Sequence, residues 1–343
     1  MKFDYAIGNP PYQQLSEQNH RQSPVYDKFM DAAYSVADCT ELITPARFLF
    51  RAGQTAKEWN EKMLNDEHFK VLRYYSDSSE VFQNVDIKGG VAISIHDKNK
   101  NYGKIGFFTT HDEVHNIVRK IKEKEYSPLS SYAFPKSTYG IDNELYEEHP
   151  ELKNRLTKGN QNIIDANIFE KMPEVFYESI PKSDDGKNYI CVYGRFNNRR
   201  ATRWIKCKYI KKNAQLEKYK LYIPGANGTG ALGEALSEPE IGKPNTCHTQ
   251  TYMSIGSFDT IDEVTNCSKY IKTKFLRLLL GTLKVTQNNP RETWSNIPMQ
   301  DFTSDSDINW SASIHDIDQQ LYKKYGLSQQ EIDFIESHVK EMA

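Results

Sequence analysis

The sequence predicts an α/β protein: half of a doubly wound sheet over residues 1–100, a mixed α+β region over 101–300, and a helical tail over 301–343. Three observations predict this. Strand-like and helix-like stretches alternate from Phe3 to about Lys98. The pattern becomes polar and mixed after Asn99, and the chain closes on two short helical patterns.

Taken in order, DYAIG is the first strand. SPVYDKFMDAAYSVA is a helix whose apolar residues Val25, Phe29, Ala32, Ala33 and Val36 fall at helical spacing. ELITPARFL is a strand ending at Pro45, AKEWNEKMLND a helix, and FKVLRYYSD and GGVAISIHDK two more strands, the last introduced by Gly89 and Gly90. Four strands on alternating crossovers suggest half of a doubly wound sheet. Beyond Asn99, DEVHNIVRKIKEK reads as a helix and NYICVYGRFNNRRATRWIKCKYIKK as basic strand. The glycine-rich IPGANGTGALGEALSEPEIGKPN follows, then the strand TYMSIGSF and a single amphipathic helix, SKYIKTKFLRLLLGTL. The last helix opens on a capping box of Ser328 and Glu331, with Ile332, Ile335 and Val339 on its apolar face.

At 343 residues the chain is long enough for two domains with separate cores. A net charge of −2 means that any basic surface is local. The cysteines Cys39, Cys191, Cys207, Cys247 and Cys267 form no C-x-x-C pair, against both a disulfide framework and a zinc knuckle. No signal-like or membrane-length apolar segment is visible, so a cytoplasmic location without membrane association is expected. Rival chemistries have weaker patterns. In HDEVH, His111 and His115 lie one turn apart, but Asp112 stands where a zinc protease needs glutamate, and no metal site is expected.

The stretch FDYAIGNPPYQ carries the most chemistry. Active sites of α/β sheets gather at strand ends, and Asn9-Pro10-Pro11-Tyr12 occupies one. An exocyclic amine of a nucleobase is a poor nucleophile because its lone pair is delocalised into the ring. Two acceptors aimed at its N–H bonds draw it toward tetrahedral geometry. The Asn9 side-chain oxygen serves as one and the Pro10 carbonyl as the other, since the Pro-Pro pair fixes that carbonyl outward. Tyr12 offers a π-face to a base flipped out of the duplex.

FDYAIGNPPYQ resembles the catalytic motif of the adenine-specific DNA methyltransferases of restriction-modification systems, which carry (D/N/S)-P-P-(Y/F) after a strand. LITPARFL is similar to the family's next strand, VFQNVDIKGGVAISI to a later strand pair, and KPNTCHTQTYMSIG to its target-recognition region. WSNIPMQDF and the tail from Gln319 are similar to its C-terminal end. The resemblance implies a methyltransferase sheet followed by a target-recognition domain, with S-adenosylmethionine as methyl donor and double-stranded DNA as substrate. It also implies that Asn9, Pro10 and Tyr12 are catalytic, and Lys88 and Gly89 are expected to line the cleft.

In that family the donor sits upstream of the motif, and eight residues precede Asn9 here. The expectation is a sheet lacking its donor-binding strands, completed by a separate polypeptide or truncated. GANGTGALGEAL, Gly225 to Leu236, is left with three readings: a relocated donor loop opening a short helix, a DNA-side loop, or plain surface. Between Arg195 and Lys212 stand eight basic residues and no acid, with Phe196, Trp204 and Tyr209 interleaved. DNA contact is expected through Arg195, Arg199, Arg200, Arg203, Lys206 and Lys208. The competing reading is a DNA-binding specificity module without transferase activity.

Overall fold

A computed structural model describes residues 2–15, 22–83, 86–181 and 188–342. Its principal elements are, in chain order, β1 (Phe3–Gly8), β2 (Gln13–Leu15), β3 (Gln22–Pro24), α1 (Tyr26–Val36), β4 (Ala37–Pro45), α2 (Lys57–Asn65), β5 (Phe69–Tyr75), β6 (Val91–Asp97) and α3 (Asp112–Glu123). There follow β7 (Ala133–Phe134), α4 (Glu144–Glu148), α5 (Ile168–Lys171), β8 (Tyr189–Phe196), β9 (Arg199–Lys206), β10 (Tyr219–Pro224), β11 (Glu240–Gly242), β12 (Thr246–His248) and β13 (Tyr252–Phe258). The chain ends in α6 (Ile261–Lys272), α7 (Lys274–Gly281), α8 (Ile314–Lys324) and α9 (Gln329–His338). It divides into two compact units. The first is Met1–Lys120 with Thr229–Leu232 and Gly281–Thr286, and the second holds the remainder.

The first unit is built on a four-stranded sheet of order β1-β4-β6-β5. β1 runs parallel to β4, as a crossover through α1 requires, while β6 is antiparallel to both its neighbours. The reason lies in the link from β5 to β6. Among its described residues it holds a single 3₁₀ turn at Ser78–Glu80 and no crossover helix, and β6 returns in the opposite direction. The core contains Met30, Phe48, Met63, Leu64, Phe69 and Ala92, all buried.

α1 forms where expected, but of the expected face Val25 and Ala33 alone reach the core. Tyr26, Met30 and Tyr34 point inward, and Phe29 and Val36 are exposed. The aromatic contacts decide the matter: Tyr26 packs edge-on to Trp59, and Tyr34 stacks on His96 with ring centroids 4.2 Å apart. β1 is an edge strand, and Phe3, Tyr5 and Ile7 on one of its faces are 49, 73 and 80% exposed.

The second unit carries one sheet of order β11-β10-β13-β7 and a smaller one of order β12-β8-β9. β8 and β9 form a regular hairpin from Tyr189↔Lys206 to Phe196↔Arg199. Its two turn residues, Asn197 and Asn198, have φ of 49° and 59°, the left-handed pair of a two-residue turn that asparagine tolerates. The core beneath includes Ile141, Ile168, Phe169, Val192 and Ile205.

Two sequence expectations are corrected in this unit. SKYIKTKFLRLLLGTL is not one amphipathic helix. α6 begins earlier, on a capping box of Thr260 and Glu263, and the extended backbone of Thr273 (φ −62°, ψ 147°) separates it from α7. α7 is buried from Phe275 through Leu280, Arg277 included, so its burial extends all round the helix and is not confined to an apolar stripe. The glycine-rich segment opens no helix either. The last helix does start on the Ser328–Glu331 box, with Ile335 and Val339 buried.

Candidate functional site

In the first unit the chain reversals at one edge of the sheet bring four segments together. β1 ends at Gly8 and runs into Asn9–Tyr12, β4 ends at Pro45, β5 ends at Tyr75, and β6 starts at Val91, paired with both Pro45 and Tyr75. Two cavities lie along this edge. The smaller, about 300 Å³, is lined by Tyr12, Tyr26, Pro45, Arg47, Asp86 and Ile87 among others. The larger, about 650 Å³, shares Asp86 and Ile87 and is lined also by Tyr74, Lys88, Gly89 and Phe108. The segment Asp86–Gly89 therefore borders both.

Tyr12 is held on three sides. Its carbonyl accepts from the Val25 amide at 3.1 Å, its hydroxyl points to the Ile43 carbonyl at 3.5 Å, and its ring meets Phe82 edge-on at 6.3 Å. Burial pushes the Tyr12 phenol up to about 12, so the ring is neutral through the working pH range. Asn9 is exposed and Pro10 half-buried; neither lines the smaller cavity, which Tyr12 does. Phe82 escaped sequence reasoning, although its place in VFQ, ahead of the Asp-Ile-Lys-Gly-Gly turn, was the available signal.

Lys88 and Gly89 are among the residues that line the larger cavity and not the one Tyr12 lines. The Lys88 ammonium pairs with Asp86 at 2.7 Å on the exposed side. Arg47, which follows β4, donates from Nε to the Lys88 carbonyl and so ties the turn to the end of β4. Gly89 and Gly90 have φ of +85° and +73°, and a Cβ on Gly90 would lie 2.1 Å from the Tyr75 carbonyl oxygen. Only glycine lets this turn approach β5 so closely. Asn84 and Val85 of the same stretch lie outside the described residues. His111 lines the larger cavity, while His115 stacks on Phe107.

Of the glycine-rich segment, Thr229–Leu232 lines the larger cavity, where Gly230 (φ +95°) sits against the backbone of Val285 and Thr286. It is a loop of close backbone approach, with no helix N-terminus behind it.

The basic run in the second unit is only partly free. Arg200 pairs with Glu240 at 2.9 Å, and Arg203 pairs with Glu178 at 3.0 Å while lying 4.9 Å from the centre of the Phe196 ring. Lys208 is held by Glu148 and Glu144, and Lys206 lies over the Tyr209 ring. Arg195 and Arg199 are exposed beside the hairpin turn, Arg195 donating to the Asn198 carbonyl at 2.8 Å. The run is thus a mixture of structural ion pairs and outward-facing cations.

With this geometry in hand, residues 1–82 match the model of the Eco57I restriction-modification methylase family. The match falls within the first unit. A curated relative, an "uncharacterized adenine-specific methylase" of Mycoplasma pneumoniae (strain ATCC 29342 / M129 / Subtype 1), is 28% identical over 103 residues, 29% of this chain and 24% of that protein. The type IIG restriction endonuclease BpuSI aligns over 93% of this chain and 50% of its own. Its identity is 9% and its TM-score 0.29, too low for a shared fold to follow. The chain thus spans about a quarter of the curated relative and half of the solved one. Among the described residues no helix is long and apolar enough to cross a membrane.

Proposed function

We propose that this chain forms the base-binding and DNA-recognition part of an adenine-specific DNA methyltransferase of a restriction-modification system. The observation that carries the reading is Asn9–Tyr12 at the end of β1, with Tyr12 lining a cavity of about 300 Å³. Asn9 Oδ1 and the Pro10 carbonyl accept from the two N–H bonds of the target amine. Tyr12 stacks on the flipped base, with Phe82 setting the tilt of the Tyr12 ring. The amine gains positive charge as it reacts, and both acceptors carry the partial negative charge that meets it. Its proton leaves afterwards, so no general base is needed at the attack. S-adenosylmethionine supplies the methyl group in such a reaction. The glycine loop at 225–233 lacks the helix that would receive that donor, and no described residue is assigned to hold it.

Transfer of tritiated methyl groups from S-adenosylmethionine into double-stranded DNA tests the reading. Asn9→Ala is expected to lower incorporation by more than about 100-fold, as losing one preorganised polar partner does, with DNA affinity within twofold of the parent. Equal loss of both counts against the assigned role.

The second reading is a DNA-binding specificity module that relies on another polypeptide for the donor. Among the described residues β1 pairs with β4 alone, and the unpaired outer edge favours this reading. Calorimetric titration with S-adenosylmethionine separates the two: micromolar binding by the chain alone supports the first reading, and no binding supports the second.

A further inference from the structure

A recess of about 400 Å³ lies beside the β8–β9 hairpin within the second unit, lined by Lys136, Asn167, Arg195, Asn198, Arg200 and Gln250 among others. We propose that this recess and the hairpin turn read base edges in the DNA major groove, with Arg195 and Asn198 as specificity-determining residues. The inference rests on the DNA-methyltransferase reading and adds where and how the sequence is recognised.

Shape is the first argument. A two-stranded ribbon is one of the few protein elements that fit the major groove. This one is braced: the Asn197 amide donates to Glu170 at 3.0 Å, Arg195 donates to the Asn198 carbonyl, and Arg203 packs on Phe196. A braced ribbon loses little conformational freedom on binding.

Chemistry is the second argument. Of the three cations that line the recess, Arg200 is already neutralised by Glu240, and the Glu170 carboxylate lines it as well, which a plain phosphate site would exclude. What the recess offers instead is three side-chain amides, Asn167, Asn198 and Gln250, that have no protein partner among the described residues. An amide presents a donor and an acceptor side by side, which matches adenine N6 and N7. The Arg195 fork matches guanine O6 and N7.

The test is selection of bound duplexes from a randomised pool by the full chain, followed by salt titration on the selected sequence. Arg195→Lys keeps the charge and removes the fork. Asn198→Gly keeps the left-handed turn and removes the amide. Each is expected to lose roughly tenfold of preference at one base pair, with the salt dependence unchanged. Arg199→Ala, outside the recess, is expected to keep the motif and lower the salt slope by about one. Should Asn198→Gly fail to fold, Arg195→Lys alone decides. Parental motifs from both folded variants overturn the inference. So does a parent chain that selects no motif; methyl incorporation into DNA in that case would leave the proposed function standing.

Discussion

At the scale of single residues, Tyr12 and His248 show burial doing opposite jobs. On the proposed reading Tyr12 acts through its ring, because its phenol stays protonated. Tyr12→Phe is therefore expected to retain methyl transfer within about threefold, and Tyr12→Ala to lose 10-fold or more, since base–aromatic stacking is worth roughly 1–3 kcal/mol. Phe82→Ala is expected to fall between them, because it frees the Tyr12 ring without removing it. His248 is fully buried, with Nδ1 2.8 Å from the Thr249 carbonyl, and burial pushes its pKa down to about 4. An unfolded histidine titrates near about 6.5, so between these values the unfolded chain binds the proton and the folded chain does not. Stability from keeping His248 neutral is complete above that window and lost as pH falls through it, about 3 kcal/mol in all. Asp318, pushed up to about 6 by burial, has the opposite slope across much of the same range. The parent's own pH profile is consequently flattened. The informative quantity is the difference in unfolding free energy between the parent and His248→Gln, measured by urea denaturation. It is expected to move in the variant's favour as pH drops from 6.5 to 4.

At the scale of elements, the turn before β6 is where the site and stability meet. The Gly90 amide donates to the Ile87 carbonyl at 2.9 Å, and its own carbonyl accepts from the Ala46 amide at 3.0 Å, so it fastens the start of β6 to the end of β4. Gly90→Ala adds a Cβ against the Tyr75 carbonyl in a left-handed conformation. It is expected to cost about 2–4 kcal/mol and to lower the thermal midpoint by several degrees. Because the same turn borders both cavities, methyl transfer should fall further than stability alone requires, measured below the midpoint. In the second unit the hairpin plays the comparable part, its two asparagines setting the turn and its carboxylate-paired arginines setting the ribbon.

At the scale of the whole molecule, β1 is the exposed seam. Its one described partner is β4, and Phe3, Tyr5 and Ile7 face outward. An apolar edge of this kind pairs with other chains unless it is covered or charged. The purified chain is expected to self-associate with rising concentration in sedimentation velocity. Ile7→Lys is expected to suppress that association with the thermal midpoint nearly unchanged, because the side chain is already 80% exposed. Persistence of the association in the variant would assign it to another surface.

The sequence by itself determined the pieces whose signals are local. The strand before Asn-Pro-Pro-Tyr, the strands at FKVLRYY and GGVAISI, the Ser328–Glu331 cap and the family motif all depend on neighbouring residues, and all are legible without the fold. Tertiary structure decided what depends on distant partners. It chose the tyrosine face of α1 over the aliphatic one, because Trp59 and His96 stand opposite. It reversed β6 between β4 and β5, broke α6 from α7 at Thr273, and brought Phe82 and Arg47 to the strand ends. It also sorted the basic run into ion pairs and free cations, since the carboxylates that neutralise Arg200, Arg203 and Lys208 lie 40, 25 and 60 residues away in sequence. A local pattern records what a residue can do; which partner reaches it is settled by packing, and packing is a property of the folded chain.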